Sequence, residues 1–141
     1  MVVRVKVSLE IEGKTVEVSA IALSTSESKE PQIIIPVELA KALGIWPSDS
    51  VSEGRFIKVD GEARVWKYPS TCRVRVVADD IETPAIDAEL LISEDVSEVI
   101  LNDKLVSELG IALEDVSRGL WRFRWESTDK IRRSVEPQVW R

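Results

Sequence analysis

Ile35-Pro36-Val37-Glu38-Leu39-Ala40-Lys41-Ala42-Leu43-Gly44-Ile45 is the stretch on which the reading of the fold turns. Ile33-Ile34-Ile35 forms a short, wholly apolar run, the mark of a buried strand, and Pro36 ends it. Proline suits a first helical turn. Val37, Leu39, Ala40 and Leu43 then share one face, and Gly44 stops the helix after about two turns. A buried strand thus passes directly into a very short helix. The design returns at Asn102-Asp103-Lys104-Leu105-Val106-Ser107-Glu108-Leu109-Gly110-Ile111, where a helix over 103–109 again precedes Leu-Gly-Ile. A two-part echo is no repeat array, but it predicts two strand-to-helix corners with matching roles.

Outward from these corners the pattern is that of strands. Val2 to Leu9 alternates polar and apolar residues, Glu12-Gly13-Lys14 supplies a turn, and Thr15 to Leu23 returns as a β-branched run: a hairpin. Ser24 to Pro31 is small and polar, a loop. Trp46-Pro47-Ser48-Asp49 is a turn. Arg55 to Val59 and Glu62 to Lys67 form a second hairpin around Asp60-Gly61, a strong turn signal. Arg73 to Ala78 and Ala85 to Ile92 are further strands, separated by a turn from Asp79 to Pro84, and Leu120 to Trp125 is a final aromatic strand. The expectation is one β-rich domain over 1–125, with two very short helices and one protruding hairpin, followed by a tail over 126–141 without a sustained period. From Arg122 onward six basic residues face three acidic ones, in a chain whose net charge is -6. A solvated, fraying tail is one reading; docking on an acidic face of its own or of a second subunit is the other.

The 141 residues suffice for one compact domain. Hydrophobic residues make up 44% and charged residues 31%, a folded, soluble balance. An excess of acid argues against a nucleic-acid-coating role, and the apolar runs are too short to span a membrane. The amino-terminal alternation lacks the apolar stretch of a secretory signal. One cysteine, Cys72, allows no intrachain disulfide, and a cytoplasmic protein is expected. There is no histidine. Histidine-based triads and zinc sites are therefore excluded, and no metal or other cofactor is expected. Asp79, Asp80 and Glu82 read as turn residues rather than a divalent-cation site. Cys72 reads as a small core residue. Trp121, Phe123 and Trp125 alternate as one buried aromatic face.

The order of these pieces resembles the single-lobe, retroviral-like (retropepsin) aspartic proteases over about residues 3–125. That family opens with a hairpin and carries Asp-Thr-Gly at the end of a strand. A segment similar to Ile35–Gly44 follows, then a hairpin flap, and last a hydrophobic-hydrophobic-Gly corner ahead of a short helix. Ala22-Leu23-Ser24-Thr25-Ser26-Glu27-Ser28 falls at the catalytic loop, the Asp60-Gly61 hairpin at the flap, and Ile100-Leu101-Asn102 at the second corner. The resemblance implies a mostly β fold: a closed, acid-protease-like β-barrel with one or two short helices and a flap hairpin. It also implies a homodimer, with a groove for a peptide or protein ligand between subunits. Trp46, Phe56, Asp60, Gly61 and Trp66 are the groove candidates.

The departures decide the chemistry. Ser24 stands where the catalytic aspartate belongs and Ser26 where the glycine belongs; only Thr25 is kept. Aspartic proteolysis needs two carboxylates sharing one proton. A serine hydroxyl without a neighbouring base activates no water. The expectation is a protease-shaped domain without catalytic residues. Glu27, three residues on, is the rescue candidate for an aspartic-type endopeptidase with a displaced carboxylate, and Lys29 is a remoter one. Asn102 replaces a glycine, and asparagine tolerates the positive φ such a corner can require. A second resemblance competes locally. Residues 32–68 also look like the swapped-hairpin AbrB-type DNA-binding module, through Ile33 to Leu39 and Leu43-Gly44-Ile45-Trp46-Pro47-Ser48-Asp49. Residues 31–54 carry only Lys41 as a basic side chain, so nucleic acid is the less expected partner.

Overall fold

The structure, a computed structural model, describes residues 2–22, 29–49, 51–58 and 61–141, with the backbone alone over 54–58 and 61–63. Six strands form a closed ring. β1 (Val3–Ile11) and β2 (Lys14–Ala22) are the expected hairpin, in unbroken register from Val3 opposite Ala22 to Ile11 opposite Lys14. Glu12 and Gly13 both take positive φ, +50° and +82°, as a tight two-residue turn demands. Val3, Val5, Val7, Leu9 and Ile11 all point into the core, while Lys6 and Glu10 between them are exposed. The period of two therefore fixes which face of the hairpin is buried.

β3 (Gln32–Pro36) passes into helix α1 (Val37–Ala42), as the corner predicts. Gly44, at φ +73°, ends that turn, and Lys14 Nζ donates to Leu43 O at 2.6 Å. A cation on the last carbonyls suits a helix C-terminus. β4 (Ser52–Lys58) and β5 (Gly61–Val76) form the second hairpin. Here the expectation of two separate strands, to Lys67 and from Arg73, is corrected. β5 runs continuously through Tyr68-Pro69-Ser70, with its register against the next strand shifting between Lys67 and Thr71. Proline has no N–H to give a ladder, and an irregularity is where a strand tolerates it. Tyr68 Oη and Ser70 Oγ donate to Glu12 Oε1 at 3.1 and 2.9 Å, tying this irregular stretch to the first hairpin's turn.

β6 (Ala85–Ser93), β7 (Val99–Leu101) and helix α2 (Asp103–Glu108) follow. The ring runs β1-β2-β7-β3-β6-β5 and closes when β5 pairs with β1, Val76 opposite Val7 to Arg73 opposite Glu10; β4 hangs from β5 outside it. The β2–β7 and β3–β6 pairings are parallel and the others antiparallel. The fold is thus mostly β, a closed six-stranded barrel with two short helices. Cys72 is fully buried inside it, and burial pushes its thiol up to about 12, so it is unreactive while the barrel is shut. No helix among the described residues is long and apolar enough to cross a membrane.

A small second sheet covers one side. β8 (Ile111–Asp115), β9 (Leu120–Phe123) and β10 (Arg132–Arg133) lie in the order β10-β9-β8. The aromatic strand is shorter than expected, stopping at Phe123. Trp121 and Phe123 are buried, but Trp125 is 51% exposed and stacks on Phe123 with centroids 4.9 Å apart. The tail is docked. Arg132 pairs with Asp80 (2.8 Å) and Glu126 (2.7 Å), and its guanidinium lies 4.9 Å from the Phe123 ring centre. Lys130 adds a further contact to Asp80. Of the two readings of the tail, docking on an acidic face of its own chain describes these contacts.

These contacts set a pH response. Arg132, and beside it the Phe123 N–H, hold Glu126 down to about 2, and Arg132 with Lys130 holds Asp80 well below the ordinary aspartate range. A depressed carboxylate contributes stability that is present above its unfolded pKa and lost as pH falls through the folded one. Arg132→Met should therefore weaken tail docking at neutral pH. In a fluorescence titration of Trp121 and Trp125 it should also remove a transition that the unsubstituted chain shows between about pH 4.5 and about pH 2. Identical acid titrations would contradict this. Gly110 supports a second expectation. It sits at φ +82°, and a Cβ there would lie 2.0 Å from Trp125 Cζ3. Gly110→Ala should cost about 1–3 kcal/mol in urea unfolding. Adding Trp125→Ala should recover only the part due to the clash.

Candidate functional site

Three chain ends meet at Asn102. β2 ends at Ala22 beside Leu101 of β7, and β3 starts on the other side of β7, with Ile33 opposite Leu101. The connection between β2 and β3 is the stretch that carries Ser24, Thr25, Ser26 and Glu27. Those four positions, with the rest of 23–28, lie outside the described residues. The strand ends on either side of them do not.

Asn102, next to Leu101, is completely buried. Its Oδ1 accepts from Gln32 N and from Leu105 N, each at 2.9 Å, and its Nδ2 donates to Glu30 O at 2.9 Å. Its own N–H donates to Gln32 O at 3.1 Å. One side chain thus caps helix α2 and clamps the chain where it leaves the 23–28 loop. The expectation that Asn102 serves by tolerating positive φ is corrected: its φ is -75° and ψ 170°, the extended geometry of an N-cap residue. The signal was present in Asn102-Asp103-Lys104-Leu105, a polar cap ahead of an apolar turn.

From Asn102 the polar contacts run outward. Gln32 Nε2 donates to Glu89 Oε1 at 2.9 Å, and Glu89 Oε2 meets Lys67 Nζ at 2.7 Å. The Lys67 ammonium, with Gln32, holds Glu89 below the usual carboxylate range. A carboxylate kept ionised in this way is no proton donor. What the corner offers is position: amides and one paired carboxylate that fix the ends of a loop. Among the described residues no group of three or more His, Cys, Asp or Glu is placed to hold a metal ion.

The β4–β5 hairpin is fastened at its root. Arg64 N donates to Asp95 Oδ2 at 2.8 Å, and buried Ser93 Oγ donates to Arg64 O at 2.6 Å. Trp46 and Trp66 meet there, with ring centroids 6.1 Å apart and the Arg64 guanidinium 4.5 Å from the Trp66 ring centre. Trp46 also lines a cavity of about 550 Å³ with Val37, Glu38, Val96, Ser97 and Trp140. Of the other groove candidates, Phe56 stands opposite Ala63 and Gly61 opposite Lys58 in the hairpin ladder, while Asp60 lies outside the described residues. Sequence reasoning missed Ser93 at the end of β6, and Asp95 and Ser97 beyond it, because the five-residue connection to β7 carries no periodic signal. It missed Trp140 for the same reason, although a lone tryptophan in a polar tail is a hint in itself. Comparison with protein-family models and with curated proteins finds no match.

Asn102→Ala removes the α2 cap and takes away the side-chain acceptor of Gln32 N. With a cap worth about 1 kcal/mol and an orphaned N–H about 1–3 kcal/mol, a loss of roughly 2–4 kcal/mol is expected in chemical denaturation. Proteolytic nicking between residues 23 and 31 should accelerate as well. A loss below about 0.5 kcal/mol would contradict the clamp.

Proposed function

We propose that this chain is a retropepsin-like domain without the catalytic aspartate, acting as a homodimer that holds an extended peptide or protein segment and does not cut it. The observation that carries this reading is the convergence at Asn102. The end of β2, the start of β3, the end of β7 and the start of α2 meet at one buried corner, and the β4–β5 hairpin leaves the same barrel, fastened through Asp95 and Ser93. A corner and a hairpin in this order support the reading, because the family resemblance implies a catalytic loop and a flap there. β8 adds support, since β9 is its one strand neighbour among the described residues, leaving a backbone edge on which a second copy can pair.

The absence of cutting follows from chemistry. With a serine at position 24 of both subunits, such a dimer would bring two hydroxyls to the place where aspartic proteolysis needs two carboxylates sharing one proton. Glu89 is held ionised by its own partners. An extended ligand would be bound through main-chain hydrogen bonds, as an added strand beneath the hairpins. The AbrB-like reading draws less support, because β3 and α1, which carry it, are built into the barrel against β6 and β7.

Sedimentation equilibrium should give a dimer, and digestion of a mixed peptide library at acidic and at neutral pH should leave it intact. A strict monomer would sink the shared groove. Cleavage that disappears with Glu27→Gln would replace this reading by an active hydrolase. A duplex-DNA affinity falling steeply with salt would replace it by the DNA-binding one.

A further inference from the structure

The final segment, Ser134 to Arg141, is held as a ligand is held. Val135 N donates to Arg4 O at 3.0 Å and Arg4 N to Ser134 Oγ at 2.9 Å, using the edge of β1 beyond its pairing with β5. Ser19 N donates to Gln138 Oε1 at 3.0 Å, just before β2 begins to pair with β7. Trp140 N donates to Ser97 O at 2.7 Å. Val135 and Val139 stay 38% and 46% exposed, whereas Trp140 packs on the barrel core. Backbone bonds to open strand edges plus one aromatic anchor make a peptide-recognition mode.

Two further observations point to exchange. Three buried side-chain polar atoms lack a hydrogen-bond partner among the described residues: Ser19 Oγ, Trp121 Nε1 and Trp140 Nε1. All three lie along the tail's path, beside Gln138, in register with Arg132, and on the segment itself. A buried donor or acceptor left unpaired carries its desolvation penalty, and two of the three, Ser19 Oγ and Trp140 Nε1, lie against or on residues 134–141. The cavity around Trp140 is also acidic. Glu38, Glu94 and Asp95 line it with Lys41, and the tail sets Arg141 among them.

We propose that the surface formed by the β1 and β2 edges and Ser97, beside the Trp46 cavity that Trp140 helps to wall, is a peptide-binding site occupied in cis by residues 134–141. Its ligand class is an extended peptide carrying a tryptophan followed by a basic residue. The tail occupies it by proximity, at an effective concentration in the millimolar range for a short linker, and a partner peptide gains access when the tail lifts. None of the residues that hold the segment belongs to the proposed dimer groove, so this inference does not rest on the retropepsin-like reading.

The test uses the full chain and a labelled synthetic peptide of residues 134–141. Trp140→Ala should bind that peptide at least tenfold more tightly than the unsubstituted chain, and Trp46→Ala added to it should abolish the gain. A peptide carrying the same W140A change should not bind. Equal affinity of a folded Trp140→Ala chain and the unsubstituted one would overturn the proposal. So would tail exchange between two copies as the sole mode of occupancy, seen as dimers that exclude the peptide. Native-state hydrogen exchange on the unsubstituted chain supplies the check that needs no variant. The Val135 and Trp140 amides should exchange at least a hundredfold faster than those of Val5 and Val7. Exchange of all four only through global unfolding would make the tail part of the core and overturn the proposal.

Discussion

Four residue pairs between β1 and β5, Val7 to Glu10 against Val76 to Arg73, turn an open sheet into a ring. Closure removes sheet edges, and much else about the molecule follows from how short this seam is. β5 must reach β1 at one end and β6 along its middle, yet it is 16 residues long. Its surplus cannot stay in the ring and leaves it as the hairpin with β4. β1 likewise has residues beyond the seam. Their open backbone groups are taken up by Val77 at Lys6 and by the tail at Arg4. Hairpin and tail are both answers to one incomplete closure.

Inside the ring, polar groups serve as fasteners. Asn102 is the clearest case, since a buried amide with a full set of partners specifies one arrangement of the chains around it. Gln32, Glu89 and Lys67 extend that order across three strands. Hydrophobic burial supplies the driving force but does not choose which loop stands beside which corner. These bonds do. The site region is thus defined by directional contacts that apolar packing cannot replace.

How far the fold could be read in advance depended on the reach of each signal. The alternation from Val3 to Ile11 and the Pro36 to Gly44 corner are local, and both appear where the pattern places them. β7 and β8 carried no such pattern: three and five residues long, they owe their strand character to neighbours distant in sequence. Pro69 hid the continuity of β5, because a proline reads as a break unless the neighbouring strand allows an irregularity. The role of Asn102 was half legible. Its position was marked, but its partners Glu30 and Gln32 lie about 70 residues away and no spacing rule names them. The tail's docking was legible only as charge, six basic residues against three, and not as the strand edges and the Ser97 carbonyl that hold its last residues.

The short connection between β6 and β7 carries three separate attachments within a few residues. Asp95 grips the hairpin's backbone, Ser97 takes the Trp140 amide, and Glu98 forms a 2.8 Å ion pair with Arg4 on the first strand. A lever with its pulls so close together cannot yield to one without shifting the others. The hairpin root, the tail and the first strand are therefore all anchored through the same five residues, 94–98.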